Sequence, residues 1–365
     1  MARADVHGSG VYRTTGVPQQ PHVLWRFPVG HGVIASTPAI AGGRVYFGDP
    51  EQGVYALDAR SGQERWDFAA DDFDAASPAI ADGVVYATTR ETVYALDGAT
   101  GREQWEFSVA DCALDYAGLA NPIVVGGVVY VGGLKEAVYA LDGQTGHERW
   151  RAAVTGGVPY SPAIANGLVY FGTDRLDWQN RNANPPRSFY ALNRASGQVQ
   201  WVLPVPGDVS ASPTVVDGVV YFVSDEEILY AVDAQTGHVQ WQSAIGGLDL
   251  AVAAVAYGTV YVTTGSGLHA VDRQTGVERW TFQQVDVASN RYAAAIADGI
   301  IYIPSTGRQW SFRGFEMAGY LYALDAQTGQ EIWKYPLNNA VDVSPAIADG
   351  VIYLECERGY LCALR

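Results

Sequence analysis

Short hydrophobic segments, each ended by Gly, Asp or Ser, recur along the whole chain. One copy begins at Pro78-Ala79-Ile80-Ala81 and continues through Val84-Val85-Tyr86. It then passes through Tyr94-Ala95-Leu96-Asp97 and ends around Trp105. β-Branched and aromatic residues bounded by turn-forming residues predict β-strands. The copy therefore predicts four strands, which we name A, B, C and D in chain order.

The residues between these segments predict the turns. Asp82-Gly83 suits a tight hairpin between strands A and B, because Gly accepts the positive φ that a primed turn requires. The stretch from Asp97 to Gly101 places a second Gly at the strained position of a turn between strands C and D. Each copy is thus an antiparallel four-stranded unit.

A tryptophan marks strand D at intervals of about 40 to 50 residues, a period typical of propeller blades. Its eight positions are Trp25, Trp66, Trp105, Trp150, Trp201, Trp241, Trp280 and Trp333. The A–B–C pattern also occurs eight times. We therefore predict an all-β, eight-bladed β-propeller with four antiparallel strands per blade, in which the tryptophans pack between blades.

The two ends of the chain are predicted to share one blade. The last copy begins near Ser344 and stops at Arg365 without a tryptophan, while Leu24 to Phe27 form an orphan strand D at the front. An N-terminal strand that joins the C-terminal blade closes the ring and removes the exposed edges of an open array. We expect residues 1–22 to be a lead-in and residues 23–365 to form a single propeller domain.

The motif Tyr-Ala-Leu-Asp-x-x-Thr-Gly-x-x-x-Trp resembles the repeat of pyrroloquinoline-quinone (PQQ) enzymes and their cofactor-free relatives. It occurs at Tyr139 to Trp150 and at Tyr322 to Trp333, and Tyr230 to Trp241 differs from it only in having Val for Leu. The resemblance covers nearly the whole chain and implies a PQQ-like propeller. The family includes quinoprotein dehydrogenases, the outer-membrane assembly lipoprotein BamB, and propellers attached to bacterial kinases.

The cysteines decide what this resemblance implies about a cofactor. Quinoprotein dehydrogenases usually have adjacent cysteines beside the quinone, whereas Cys112, Cys356 and Cys362 are isolated here. No set of calcium ligands and no paired histidines stand out. We therefore expect no cofactor and no metal, and PQQ with calcium is unlikely.

Cys356 and Cys362 flank the last hairpin and could pair, but we expect free thiols. The lipidated N-terminal Cys of BamB is also absent.

The net charge of −16 excludes most nucleic-acid partners, which bind basic surfaces. No apolar stretch is long enough to span a membrane. The chain as written begins without a hydrophobic signal segment, so we expect a cytoplasmic protein, or an extracytoplasmic one whose signal was removed. A closed ring without open edges favours a monomer.

Strand direction divides the connections between two faces. The D–A and B–C loops lie on one side, which we call the loop-rich face; the uniform A–B and C–D turns lie on the other, the turn face. Binding residues concentrate in loops carried by a rigid scaffold. Two B–C insertions, residues 174–188 and 304–319, carry the two tryptophans outside the repeat and several arginines: Arg175, Trp178, Arg181, Arg308, Trp310 and Arg313.

The D–A loops lead to the mouth of the channel, where Tyr116, Tyr160, Arg291 and Tyr292 depart from the small residues of the repeat. We expect a non-catalytic propeller that binds a small anionic or aromatic ligand, or a protein, at these positions and through the insertions. The alternative is an enzyme with an active site at the channel mouth. There Arg would stabilise negative charge and Asp or Tyr would move protons. Its candidate residues are Asp74, Tyr160, Arg291, Tyr292 and Asp342.

Overall fold

The computed structural model describes most of the chain, and every described element is a strand or a turn. The described residues are 11–12, 14, 21–29, 36–50, 52–70, 73, 76–109, 119–133, 137–174, 187–209, 211–247, 251–265, 267–283, 293–311, 314–337, 341 and 343–365. For residues 252–253, 306–311 and 314–318 only the backbone is described.

The first half of the chain supplies two leading strands and four blades. The leading strands are β1 (Val11–Tyr12) and β2 (Val23–Pro28). Blade 1 contains β3 (Ala39–Ala41), β4 (Arg44–Asp49), β5 (Gly53–Asp58) and β6 (Glu64–Phe68). Blade 2 contains β7 (Ala79–Ala81), β8 (Val84–Thr88), β9 (Thr92–Asp97) and β10 (Glu103–Ser108). Blade 3 contains β11 (Ile123–Val125), β12 (Val128–Gly133), β13 (Ala137–Asp142) and β14 (Glu148–Ala153). Blade 4 contains β15 (Ala163–Ala165), β16 (Leu168–Gly172), β17 (Ser188–Asn193) and β18 (Val199–Pro204).

The second half supplies the other four blades. Blade 5 contains β19 (Thr214–Val216), β20 (Val219–Val223), β21 (Ile228–Asp233) and β22 (Val239–Ala244). Blade 6 contains β23 (Ala251–Ala256), β24 (Thr259–Thr264), β25 (Gly267–Asp272) and β26 (Glu278–Gln283). Blade 7 contains β27 (Ala295–Ala297), β28 (Ile300–Ser311), β29 (Gly314–Asp325) and β30 (Glu331–Leu337). Blade 8 contains β31 (Ala346–Ala348), β32 (Val351–Glu357) and β33 (Tyr360–Leu364), completed by β2.

Within each blade the strands A to D pair antiparallel with their neighbours in order. The short A strands contact one another around the centre, including β3 of blade 1 with β31 of blade 8. This arrangement confirms the prediction of an all-β, eight-bladed propeller. The A–B turns also take the predicted form, with Asp82 at φ 50° and Gly83 at φ 78°.

Six of the repeat tryptophans tie their blade to the next through a carbonyl of the following C–D turn. In blade 2, the Trp105 indole donates to the Gly143 carbonyl at 2.9 Å, and the Tyr86 hydroxyl donates to the same oxygen at 3.0 Å. The same shared acceptor recurs at other blade interfaces: Trp66 and Tyr46 on Gly98, Trp150 and Tyr130 on Arg194, and Trp201 and Tyr170 on Ala234. One backbone oxygen therefore accepts two buried side-chain donors from the neighbouring blade.

The glycine of each C–D turn makes room for this contact. Gly101 has φ 72°, and a Cβ atom there would lie 2.7 Å from the ring of Trp66. The Thr-Gly of the repeat is thus needed both for the backbone conformation and for the tryptophan of the preceding blade.

The ring closes through the two ends of the chain, as predicted. Strand β2 pairs antiparallel with β33, and His22 and Arg365 exchange two backbone hydrogen bonds at 2.8 and 2.9 Å. Trp25 and Tyr353 of this composite blade both donate to the Ala59 carbonyl of blade 1. The interface between the last and first blades is therefore chemically the same as the others.

Blade 7 has a fifth strand that the repeat does not predict. β1, from the residues expected to be a lead-in, pairs parallel with the inner strand β27, with Val11 opposite Ile296 and Tyr12 opposite Ala297. β1 thus lies on the channel side of β27.

The expectation of free thiols in the last hairpin is wrong. Cys356 and Cys362 form a disulfide between β32 and β33, with their Cα atoms 5.7 Å apart. Both residues are buried. The hairpin brings them together because the register at the end of β32 shifts by one residue between Glu355 and Glu357, which places Cys356 beside its partner strand.

Candidate functional site: the channel mouth and the loop-rich face

A belt of small polar residues surrounds the channel at the start of the inner strands. Six blades have one such residue, which directly precedes a proline: Thr37, Ser77, Asn121, Ser161, Ser212 and Ser344. The backbone N–H of Thr37 donates to the Ser77 hydroxyl at 2.9 Å, and the Ser77 N–H donates to the Asn121 side-chain oxygen at 2.8 Å. Each of these bonds crosses from one blade to the next, so the belt links successive blades at the mouth of the channel.

The prolines that follow the belt restrict what can pair with the inner strands. In blade 7, Asp298 and Gly299 form a two-residue turn, so Ala297 and Ile300 are a hydrogen-bonded pair. The N–H groups of alternate residues Ile296 and Ala294 therefore point to the channel. A proline at the position of Ala294 removes the first of these donors, which protects an edge strand from pairing.

Blades 6 and 7 lack this proline and have Ala253 and Ala294 in its place. The extra strand β1 pairs with β27 of blade 7 and also contacts β23 of blade 6. The segment continues to blade 8, where the Tyr12 hydroxyl donates to the Pro345 carbonyl at 3.4 Å and the Gly350 N–H donates to the Thr14 hydroxyl at 3.0 Å. The chain's own N-terminal segment thus lies along the unprotected part of the channel wall.

The insertion of blade 7 is a ribbon of paired strands. β28 and β29 continue in register as far as Ser311 opposite Gly314. The neighbouring strand β30 pairs with β29 only as far as Gly319 opposite Leu337. Residues 306–311 and 314–318, which we call the ribbon, therefore pair with each other and with no other described strand. The ribbon extends the blade by about 20 Å on the loop-rich face.

The register sorts the residues of the ribbon onto two faces. Arg308 pairs with Met317 and Trp310 pairs with Phe315. Because successive residues of a strand belong to opposite faces, these four positions share one face and the pair Gln309–Glu316 lies on the other. One face of the ribbon therefore combines two aromatic positions with one methionine and one arginine.

The base of the insertion in blade 4 is held by an ion pair. Arg187 contacts Asp208 at 2.5 Å, and both side chains are largely buried, at 16% and 9% exposure. The Asp208 N–H donates to the Asp225 carboxylate at 2.6 Å, which joins this base to the B–C loop of blade 5. The end of the insertion is thus fixed to the neighbouring blade.

The predicted site residues fall into three groups. Tyr160 is half-buried at the mouth of the channel, directly before Ser161 of the polar belt. Arg308 and Trp310 lie in β28, in a ribbon of paired strands where the sequence predicts a loop. The others lie outside the described residues: Asp74, Tyr116, Arg175, Trp178, Arg181, Arg291, Tyr292, Arg313 and Asp342.

The polar belt and the place of β1 were not predicted. The sequence does contain a signal for both, since Ser-Pro or its equivalent begins six inner strands and is replaced by Val252-Ala253 and Ala293-Ala294 in the other two. Comparison of the eight copies at this one position identifies the blades that can accept another strand.

The family of the chain follows from its match to known repeats. The family model described as outer membrane protein assembly factor BamB matches residues 18–184 and 156–298, well over half of the chain. The chain belongs to this family. A second model, described as the β-propeller domain of glucose, ethanol and alcohol dehydrogenases, matches residues 248–355. The predicted PQQ-like repeat is therefore confirmed.

Similar proteins differ in activity. The tetrathionate hydrolase of Acidithiobacillus ferrooxidans is 25% identical over 284 residues, which are 76% of this chain and 51% of that protein. The chain thus spans about half the length of this curated relative. The structure of BamB from Moraxella catarrhalis has a TM-score of 0.71 and 19% identity, covering 95% of this chain and 98% of that one. The quinohemoprotein alcohol dehydrogenase from Comamonas testosteroni has a TM-score of 0.77 and 15% identity, covering 100% and 79%. Both structural likenesses show the fold.

Within the described residues, no three His, Cys, Asp or Glu side chains come together in a way that could hold a metal ion. The disulfide joins residues six positions apart rather than adjacent ones. The described part of the chain also has no helix long and apolar enough to cross a membrane.

Proposed function

We propose that this protein is a non-catalytic propeller that binds a protein partner on its loop-rich face, with the ribbon of blade 7 as the main contact. The observation that carries the proposal is the ribbon itself. A two-stranded hairpin without a third strand is at best marginally stable in water. Here it continues in register for the whole length of the insertion, beyond the support of β30.

The residues at the register positions of the ribbon suit a protein interface. Trp and Arg are enriched among the residues that dominate binding energy, and aromatic residues and Met are enriched in interface cores. Trp310, Phe315, Met317 and Arg308 share one face of the ribbon by register. The description of the family as an assembly factor supports a role in binding proteins.

Site-specific photo-crosslinking in the producing cell tests this proposal. A photoreactive amino acid is placed at Trp310 or Phe315, at Gln309 or Glu316 on the other face of the ribbon, and at Gln274 on the turn face. We expect a discrete protein adduct from positions 310 and 315, and from Arg308 on the same face, but not from the other positions. The double variant Trp310→Ala/Phe315→Ala should remove an adduct formed from Arg308 while the melting temperature stays unchanged, because the ribbon lies outside the blade cores.

Two results would overturn the proposal. The first is the absence of any adduct above the Gln274 control. The second is an adduct of the same size and yield from both faces of the ribbon, which would indicate nonspecific contact. If Trp310→Ala instead abolished the binding of a small aromatic or anionic compound without any protein adduct, the site would be one for a small ligand.

We also propose that the protein binds no quinone. The separated cysteines and the absence of a ligand cluster among the described residues support this part of the proposal. Titration of the purified protein with PQQ and Ca²⁺, followed by visible absorbance, should show no saturable spectral change. A stoichiometric change that requires Ca²⁺ would contradict it and would favour the dehydrogenase alternative.

A further inference from the structure

A cleft opens on the turn face where blade 1 meets blade 2, and a cleft of the same kind opens between blades 6 and 7. The first cleft lies between the A–B turn and the C–D turn of blade 1 and the C–D turn of blade 2. Its volume is about 430 Å³, and it is lined by Gly42, Gly43, Arg44, Asp58, Arg65 and Ala99. None of these residues belongs to the loop-rich face, so the cleft is separate from the proposed partner site.

Two positions in the cleft differ from the repeat, and both differences make the charge of the cleft more positive. Arg44 begins strand B of blade 1, where the other blades have Val84, Val128, Leu168, Val219, Thr259, Ile300 and Val351. Gly42 precedes it in the A–B turn, where four blades have an aspartate, as at Asp82. Relative to blade 2, this cleft has therefore lost a negative charge and gained a positive one, in a chain of net charge −16.

The carboxylate nearest to Arg44 along the sheet is already engaged. Asp58 is the cross-strand partner of Arg44. Its Oδ2 atom pairs with Arg65 at 2.6 Å, and its Oδ1 atom accepts the N–H groups of Arg60 and Ser61 and the Ser61 hydroxyl. The lining of the cleft thus holds two guanidinium groups and one carboxylate, which is engaged by Arg65, so one positive charge is in excess.

Arg44 has no carboxylate of its own among the described residues. Its Nε atom is buried and has no hydrogen-bond partner there. Its guanidinium lies beside the Tyr46 hydroxyl: burial raises the pKa of Tyr46, and Arg44 opposes that rise. A charged group that is half-buried without a carboxylate partner is costly, so a guanidinium that lines a cleft favours an anionic ligand there.

We propose that this cleft binds a small oxyanion, a phosphate or a carboxylate group, with Arg44 as its main ligand. The planar guanidinium presents its donors in a fork that matches both groups. Gly42 and Gly43 leave the entrance open, since a Cβ atom at either position would meet no atom within 4 Å. The Asp58–Arg65 pair forms the opposite wall and keeps the excess charge on Arg44.

Titration with inorganic phosphate, followed by ³¹P NMR, tests the site. We expect saturable binding to the wild-type protein and a loss of affinity of at least about tenfold in Arg44→Val. This variant introduces the residue that blade 2 has at the same position, so the fold should be retained and can be checked by circular dichroism. Gly42→Asp, which restores the aspartate of the repeat beside Arg44, should also weaken binding.

The matched control is Arg102→Gln, which removes an exposed positive charge from the neighbouring turn without changing the lining of the cleft. Its affinity should stay within about twofold of wild type. The proposal is overturned if the wild-type protein shows no saturation, if Arg44→Val binds as well as wild type, or if Arg102→Gln loses as much affinity as Arg44→Val. The same titration with acetate identifies the source of the anion, because tighter binding of phosphate indicates a phosphorylated ligand and tighter binding of acetate a carboxylate ligand.

Discussion

At the scale of single residues, the blade interface depends on one shared acceptor. Trp105 and Tyr86 both donate to the Gly143 carbonyl. Loss of one donor leaves the other in place, whereas loss of both leaves a buried carbonyl without a side-chain donor, which costs more than an ordinary hydrogen bond.

We therefore expect Trp105→Phe and Tyr86→Phe each to lower the free energy of unfolding by about 1 kcal/mol through the lost hydrogen bond. The double variant should lose about 1–2 kcal/mol more than the sum of the two. Urea unfolding of the four proteins measures this coupling. The control combines Trp105→Phe with Tyr170→Phe, whose hydroxyl bonds to Ala234 in a distant interface, and this pair should be additive. Equal coupling in both pairs would contradict the shared-acceptor account.

At the scale of elements, we expect a single proline position to decide which inner strand accepts β1. Ala294→Pro gives blade 7 the residue that six other blades have and removes an N–H that points to the channel. We expect the fold to be kept and β1 to detach, which would appear as faster amide hydrogen exchange at Tyr12. Ala293→Ser introduces the other residue of the repeat and keeps the N–H, so it should leave exchange at Tyr12 unchanged. Unaltered exchange in Ala294→Pro would show that the proline does not control this edge.

The disulfide between Cys356 and Cys362 links the two strands of the last hairpin, β32 and β33. Alkylation of the unfolded, unreduced protein should modify one cysteine, Cys112, and alkylation after reduction should modify three. Closing so short a loop should contribute about 2 kcal/mol, which reduction of the disulfide should remove from the free energy of unfolding. Modification of three cysteines before reduction would contradict the disulfide.

At the scale of the whole molecule, repeated ionisable groups set the pH range of stability. In the C–D turns the Asp142 carboxylate pairs with Arg149 and accepts the turn N–H groups and the Thr145 hydroxyl, which lowers its pKa to about 2. Equivalent hydrogen bonds lower the pKa of Asp58, Asp97, Asp233, Asp272 and Asp325. Burial raises the pKa of the blade-interface tyrosines to about 12, as at Tyr170, Tyr221, Tyr261 and Tyr353.

The two sets of groups act at opposite ends of the pH scale. A carboxyl whose pKa is lowered by folding stabilises the protein above its unfolded pKa, so this contribution is lost as the pH falls from about 4 to about 2. A tyrosine whose pKa is raised stabilises it below the unfolded value, so that contribution is lost as the pH rises from about 10 to about 12. Urea midpoints measured across the scale should fall in both windows. In Asp142→Asn the acid decline should be smaller, and an unchanged decline would contradict the assignment.

Because β2 closes the ring and β1 does not, deletion of β1 alone and deletion of both strands should affect stability differently. Removal of residues 1–14 deletes β1 and the contact of Thr14 with Gly350, and we expect a cooperative transition at a slightly lower temperature. Removal of residues 1–28 also deletes β2 and the Trp25 contact to Ala59, which leaves β33 as an open edge. This second variant should aggregate or unfold without a single transition in calorimetry. A normal transition in the second variant would show that the ring does not need its closing strand.

The sequence by itself determined the features that recur. Strand A to strand D of each blade, the Asp-Gly and Thr-Gly turns and the Trp that marks each outer strand are local patterns repeated eight times, so each copy supports the others. The composition of the closing blade follows from the number of copies, because the last copy lacks a strand D and the strand at Trp25 belongs to no other copy.

Only the tertiary structure decided the features that occur once. The pairing of β1 with blade 7, the disulfide of Cys356 with Cys362 and the excess charge of Arg44 each depend on which groups become neighbours in space. The ribbon was placed correctly on the loop-rich face, but its strand pairing was not predicted, since an insertion has no second copy to compare with. Repetition makes a pattern readable along the chain, whereas a unique contact between distant residues leaves no periodic trace in it.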